Sequence, residues 1–221
     1  YSEYGVKRGL RDEKGQGVLT GLTNISDIKA FEYHDGVKSP CDGELSYRGY
    51  NIKDLVTGSK GKRFVFEEGA YLLLFGELPT DTQLMEFQGR LSDCMELPTN
   101  FTRDVIMKAP TSDIMGSMTR SILTLGSYDK EKESLEIPNV LRQSMQLIAV
   151  FPMLAVYAYH AYCHYEKNES MYIHRPEKDL SIAENFLRLL RPDTKFTELE
   201  ARVLDIALLL HSSPKTIQKY L

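Results

Sequence analysis

Leu147–Tyr159 reads LIAVFPMLAVYAY, and this stretch decides the fold class. Its residues are apolar nearly all round the helix they would form. Leu141, Met145, Ile148, Pro152, Ala155, Tyr159 and Tyr162 recur through and beside it at helical spacing. A helix without a polar face has to be covered on several sides, which makes it the centre of a helical core. The spacing predicts one long helix over Ile137–Tyr165, kinked at Pro152, where the ring removes a hydrogen bond.

Downstream, Ser181 opens a capping box with Glu184 for a helix over Ile182–Leu190, and Pro192 follows its end. Thr197 and Glu200 repeat the same box before a last helix. Its apolar residues are Leu199, Val203, Leu204, Ile206, Ala207 and Leu210, and it stops at His211. Upstream, Phe66–Phe75 is a short apolar helix, and Thr80 caps another over Asp81–Cys94. Leu97-Pro98 opens a unit with Val105 and Ile106 on one face. Ser112 or Asp113 caps a helix carrying Ile114, Met115, Met118, Ile122 and Leu125, with Gly126 as its stop. Only the N-terminal quarter reads differently. Gly17–Ile28 and Gly43–Tyr50 are strand-like, and Asp35-Gly36 and Ser39-Pro40 between them are turn chemistry. The expectation is a mainly α fold with a small N-terminal β-hairpin that has a long loop. Residues 1–16 form a charged arm ahead of it.

Composition narrows the class further. The 221 residues are 42% hydrophobic and 26% charged, with a net charge of −4. Nucleic acid and anionic membranes attract basic surfaces, so neither is expected as a partner. No apolar run approaches the ~20 residues that span a bilayer. Cys41, Cys94 and Cys163 are odd in number and far apart, which reads as reduced thiols in a cytoplasmic protein.

Several constellations could carry chemistry. His160 and His164 lie four apart on one helix face, with Cys163 between them and His174 ten residues on, which is zinc-like spacing. No acidic base sits between the two histidines, and the alternative is a polar helix end whose tyrosines Tyr157, Tyr159, Tyr162 and Tyr165 reach water. No metal is expected. Gly15-Gln-Gly17-Val-Leu-Thr-Gly21 misses the dinucleotide spacing and precedes a strand, so it reads as a turn. Glu67-Glu68 meets the positive end of a helix dipole, and Asp129, Glu131 and Glu133 lie in a charged loop. Arg142, Arg188 and Arg191 are helix-borne cations, and dipole and solvent account for Arg188 and Arg191 at a helix C-terminus. His211, at the end of an apolar helix, fits a core residue bonded to a free carbonyl.

Four stretches, taken together and in order, resemble citrate synthases. GELSYRGYNIKDLV (Gly43–Val56) with FEEGAYLLLFGELPT (Phe66–Thr80) is similar to their opening. LIAVFPMLAVYAY looks like their long central helix. DLSIAENFLRLLRPD (Asp179–Asp193) and ELEARVLDIALLLH (Glu198–His211) resemble the segment leading to their substrate site. The likeness runs from about Lys7 to His211, and the N-terminal arm and long loop resemble bacterial members.

The resemblance implies an almost all-α homodimer that condenses acetyl-CoA with oxaloacetate, or propionyl-CoA in some relatives, without a further cofactor. An aspartate base, histidines at the enol and ketone oxygens, and arginines on the dicarboxylate carry the reaction. It implies dimer contacts through helices around 114–125 and 137–165. It makes 17–211 the N-terminal part of the large domain and 212–221 a divergent tail. His211 matches the first of two substrate-site histidines. The second position is Pro214, which has no imidazole, and the segments bearing the later histidines, the aspartate and the arginines are not found here. The 221-residue chain is therefore expected to be inactive alone, with His211 as its substrate-binding residue. Arg8 is placed near a CoA phosphate, and Arg48 of YRGY is given a structural role.

Overall fold

The computed structural model describes residues 2–9, 11–15, 17–18, 23–58 and 64–212. Pro214 and the rest of 213–221, and 19–22 of the expected first strand, lie outside the described residues. The chain divides into two compact units, Tyr1–Leu84 with Arg202–Leu221, and Met85–Ala201.

The first unit begins with strands β1 (Ser26–His34), β2 (Val37–Tyr47) and β3 (Tyr50–Asn51), paired antiparallel in that order. The hairpin is present, but the expected long loop is not. The segment assigned to it pairs with itself: His34 faces Val37, and Phe31 faces Pro40. Asp35 and Gly36 have φ of 49° and 80°, the double left-handed conformation that closes a two-residue hairpin. Irregular register after Lys29 absorbs Cys41-Asp42-Gly43, which hid the period-two pattern from the sequence.

Helices α1 (Ile52–Gly58), α2 (Phe66–Phe75) and α3 (Asp81–Asp93) follow. Thr80 caps α3 as expected, its hydroxyl accepting from Gln83 N–H at 3.3 Å. Tyr47, Ile52, Leu55, Val65, Leu72 and Leu209 form one buried cluster. Leu209 belongs to α7 (Glu198–Leu210), so this core is closed by the end of the chain. The N-terminal box of α7 is present, with Thr197 N–H on Glu200 Oε2 at 2.8 Å and Glu200 N–H on Thr197 Oγ1 at 3.2 Å. Its buried face differs from the expected one. Leu199 and Val203 are 72% and 61% exposed, while Ala201, Asp205 and Leu209 are buried.

In the second unit a π-helical turn (Thr102–Ile106), α4 (Ile114–Gly126) and α6 (Ile182–Leu190) pack on α5 (Ile137–Lys167). α5 runs through Pro152 without interruption. By length and composition it could cross a bilayer; it is the core helix of this unit, with Ala149, Val150, Leu154 and Val156 fully covered. Met145, Ala149, Met153, Tyr157 and Ala161 line its buried face at i, i+4 spacing. The expected stripe is met in part: Met145 and Pro152 are buried, whereas Tyr159 is 41% exposed and Leu141, Ile148 and Ala155 are only half-buried. A helix apolar all round has no moment to choose its face, so its packing partners chose it.

Asp113 caps α4, accepting from Gly116 N–H at 2.9 Å. Gly126 is the last helical residue, and Ser127 follows at φ −72°, so no left-handed glycine cap is used there. The Ser181–Glu184 box is complete.

Between α5 and α6 a long irregular segment, 168–181, is held at several carbonyls by side chains, and Asn185 makes the most contacts to it. Asn185 is fully buried. Its amide oxygen accepts from Glu177 N–H at 2.9 Å, and its NH2 donates to Glu177 O at 2.9 Å and Leu180 O at 3.3 Å. Asn185→Ala strands these groups, and we expect it to lower stability by roughly 2–3 kcal/mol in urea unfolding. A change under 0.5 kcal/mol would show that the segment is held elsewhere.

Candidate functional site

No glycine ends α7; its last carbonyls accept the N–H groups of His211 and Ser212. Side chains add to these bonds. His211 Nδ1–H donates to Ala207 O at 2.7 Å. Ser212 Oγ–H donates to Leu208 O at 2.8 Å. The Tyr47 hydroxyl shares its single proton between Leu209 O at 2.8 Å and Leu210 O at 3.3 Å. A carbonyl oxygen has no hydrogen to give, so Nδ1 of His211 carries the proton of this contact, and Nε2 is the ring nitrogen that Ala207 O does not engage. His211 is bonded to a carbonyl as expected, but it is exposed and not a core residue.

Two contacts fix where this end lies. Helix α2 starts at Val65 without a side-chain cap of its own. The buried carboxyl of Asp205 supplies one, accepting from Val65 N–H at 2.7 Å and Phe66 N–H at 3.0 Å. Four residues on, Leu209 presses on Gly69, where an added Cβ would lie 2.2 Å from Leu209 Cδ1. α7 is thus pinned to α2 along one face and to β2 through Tyr47. Neither Tyr47 nor Asp205 stood out in the sequence as a site residue. The usable signal was Asp205 itself, a lone acid in register with the apolar residues of VLDIALLL.

The other candidates do not gather. His160 Nε2–H donates to Leu189 O at 3.1 Å, His164 Nδ1–H to Glu169 O at 2.8 Å, and His174 Nε2–H to Pro192 O at 3.0 Å. Each ring bonds a carbonyl through one nitrogen, and among the described residues no group of three His, Cys, Asp or Glu side chains is placed to hold a metal. Tyr157 does not reach water as expected. It is buried, which pushes its hydroxyl up to about 12 and keeps it a donor, here to His174 O at 2.5 Å. His160, Tyr159, Tyr172 and Phe186 line an open, mostly apolar cleft of about 530 Å³ in the second unit. Burial, with Asp93 adding to it, pushes the Cys94 thiol up, so it is a poor thiolate.

The helix-borne arginines are partnered, contrary for Arg188 and Arg191 to the expectation of dipole and solvent alone. Arg142 meets Asp129 at 2.7 Å, Arg188 meets Glu177 at 2.8 Å, and Arg191 meets Glu200 at 2.7 Å. Arg48 donates to Leu73 O at 2.9 Å, a structural contact. Arg8 is exposed. Gly15 has φ 75° and its carbonyl accepts from Arg11 Nη1 at 2.8 Å, as a turn requires. Glu67, in the first turn of α2, is buried.

The family model described as "Citrate synthase, C-terminal domain" matches residues 10–213. The chain belongs to the citrate synthase family. It is 31% identical over 169 residues to a 2-methylcitrate synthase of Shewanella oneidensis, covering 76% of this chain and 41% of that protein. It is 28% identical over 207 residues to a citrate synthase of Saccharolobus solfataricus, covering 94% and 47%. The crystal structure of citrate synthase from Pyrobaculum aerophilum superposes with a TM-score of 0.71 at 26% identity, over 94% of this chain and 51% of that one. The chain thus spans about half the length of the citrate synthases it matches.

Two outcomes follow from the carboxyl groups. Asp205→Ala leaves two buried donors without their acceptor, and we expect a loss of roughly 2–4 kcal/mol in urea unfolding, with Asp205→Asn losing less. Equal losses would show that the acceptor is not what matters. Hydrogen bonds from Arg142, Gln143 and Glu131 N–H hold Asp129 at about 2. Thr197 N–H, Arg191 and the Thr197 hydroxyl hold Glu200 at about 2. Both folded values lie below the unfolded ones, so their stabilisation is complete above about pH 4.5 and is lost as the pH falls toward 2. Arg142→Met and Arg191→Met should flatten this acid limb in a pH series of thermal melts; an unchanged slope would dismiss the two pairs as its source.

Proposed function

We propose that this chain carries the scaffold half of an acyl-CoA condensing site, with His211 as the group that faces the oxo acid. The reaction is acetyl-CoA plus oxaloacetate plus water giving citrate plus CoA, or the propionyl analogue named by the Shewanella oneidensis relative. The supporting observation is the end of α7. There the family match coincides with an exposed imidazole whose ring is fixed at Nδ1 and open at Nε2. The 2-oxo dicarboxylate is the ligand chemistry an imidazole can meet there, as a hydrogen-bond donor when protonated on both nitrogens. Arg8 is assigned to a CoA phosphate, acetyl-CoA enters as substrate and not as cofactor, and the compartment is cytoplasmic. The 221 residues do not complete the reaction by themselves. Among the described residues His211 is the histidine at the α7 end, where the family match ends; His160, His164 and His174 belong to the second unit.

A second reading concerns partners. Met115 and Leu123 of α4 and Ile137, Leu147 and Phe151 of α5 are exposed, at 79%, 73%, 82%, 37% and 42%. Apolar surface of this kind marks a contact face, and a second copy using helices around 114–125 and 137–165 would cover it as a homodimer.

Thiol release from acetyl-CoA with oxaloacetate, on protein whose intact mass is verified, tests the first reading. We expect no turnover at 25.2 kDa, and turnover at that mass would mean that these residues rebuild a complete site. Sedimentation equilibrium tests the second. We expect twice the chain mass, reverting to one chain in Phe151→Asp, and a monomeric parent would remove the dimer.

A further inference from the structure

We infer that Tyr47 is a positioning residue for His211, which rests on the reading of His211 as the oxo-acid ligand. The geometry runs through one peptide plane. The carbonyl of Leu210 and the N–H of His211 belong to the same rigid amide. Tyr47 holds that carbonyl at 3.3 Å and the preceding one at 2.8 Å. The plane from which His211 springs is therefore set by a hydroxyl 163 residues earlier in the chain. Tyr47 is itself fully buried and sits in the core cluster with Leu209, so its ring has little freedom to follow a fraying helix end.

The hold on the backbone is what lets the imidazole latch. Ala207 O accepts both His211 N–H at 3.2 Å and His211 Nδ1–H at 2.7 Å. That double bond-making requires the last turn to stay helical, because only then is residue i−4 directly below the ring. Ser212 bonds one carbonyl further back, Leu208 O, and its N–H reaches Leu209 O at 3.2 Å, so it closes the turn without touching the Leu210–His211 amide. Three side chains cap the helix, and Tyr47 is the one that holds that amide from outside the turn. Its hydroxyl fixes Nδ1 as the nitrogen bonded to Ala207 O, and hence Nε2 as the one that takes up a proton and meets a ligand.

The test is long-range ¹H–¹⁵N correlation of the imidazole rings in the full chain, with His160, His164 and His174 as internal references. In the parent, His211 should show the Nδ1–H tautomer. In Tyr47→Phe, which removes only the hydroxyl, the His211 signals should move to a mixture with at least half Nε2–H, while the three reference rings stay in place. Oxaloacetate, titrated into both proteins, should perturb His211 in the parent and bind about tenfold more weakly to the variant, the loss expected for one hydrogen bond of average strength. Unchanged His211 signals in a Tyr47→Phe protein that merely melts earlier would reduce Tyr47 to a core residue and overturn the inference. Ser212→Ala is the second variant and covers the case in which Tyr47→Phe does not fold. It should keep the parent tautomer, because Tyr47 still holds the amide; loss of the tautomer there would take the role away from Tyr47. Failure of oxaloacetate to perturb the parent His211 would sink the functional reading instead, and the tautomer comparison would still decide the positional one.

Discussion

One carboxyl group sets the frame of the first unit. Asp205 accepts two backbone amides at the start of α2, a helix that has no side-chain cap of its own. A carboxyl here satisfies two orphan donors and meets the positive end of a helix dipole. Because Asp205 lies in the middle of α7, the same contact that starts one helix places another. One turn on along α7, Leu209 meets Gly69 and Tyr47 meets the carbonyls of Leu209 and Leu210. Remove the carboxyl and the position of the His211 turn has no fixed origin.

The second unit is organised on a different physical basis. Its centre is an apolar helix that buries Met145, Ala149, Met153, Tyr157 and Ala161. Its polar groups are then settled one by one against backbone. The imidazoles of His164 and His174 and the amide of Asn185 end on main-chain atoms of irregular segments, and that of His160 on the last turn of α6. A long connection without regular structure has to satisfy its backbone somewhere, and here side chains from the flanking helices do it. That accounts for polar residues at buried positions without assigning them chemistry.

The helices were legible because their signals are local. The capping boxes at Ser181 and Thr197, the cap at Thr80 and the apolar period of α5 each lie within a few residues. The family resemblance was legible for the same reason, from contiguous stretches. What the sequence did not disclose was set by partners far along the chain. Leu199 and Val203 looked like core residues and are exposed, because Asp205, not an apolar side chain, chooses which face of α7 turns inward. The hairpin was blurred at Cys41–Gly43, where three residues stand opposite Ala30 alone and break the alternation. The arginines looked solvated because their acids stand nine to thirteen residues away in sequence. At the site, His211 was visible as a helix-terminal histidine. The hydroxyl that steadies it was not, since nothing near Tyr47 points to residue 210.

The discontinuity of the first unit bears on the order in which this chain acquires structure. Met85–Ala201 is one contiguous run, so its contacts can all form as soon as it has been synthesised. The other unit cannot complete its core until residues 205–210 exist, because Tyr47 and Leu209 stand 162 positions apart. Closing so long a loop is slow relative to forming local helix contacts. On the ribosome, then, the hairpin, α1 and α2 must wait with Tyr47, Leu55 and Leu72 uncovered while the later segment folds. That interval is when the apolar surface of the first unit is most open to association with other chains.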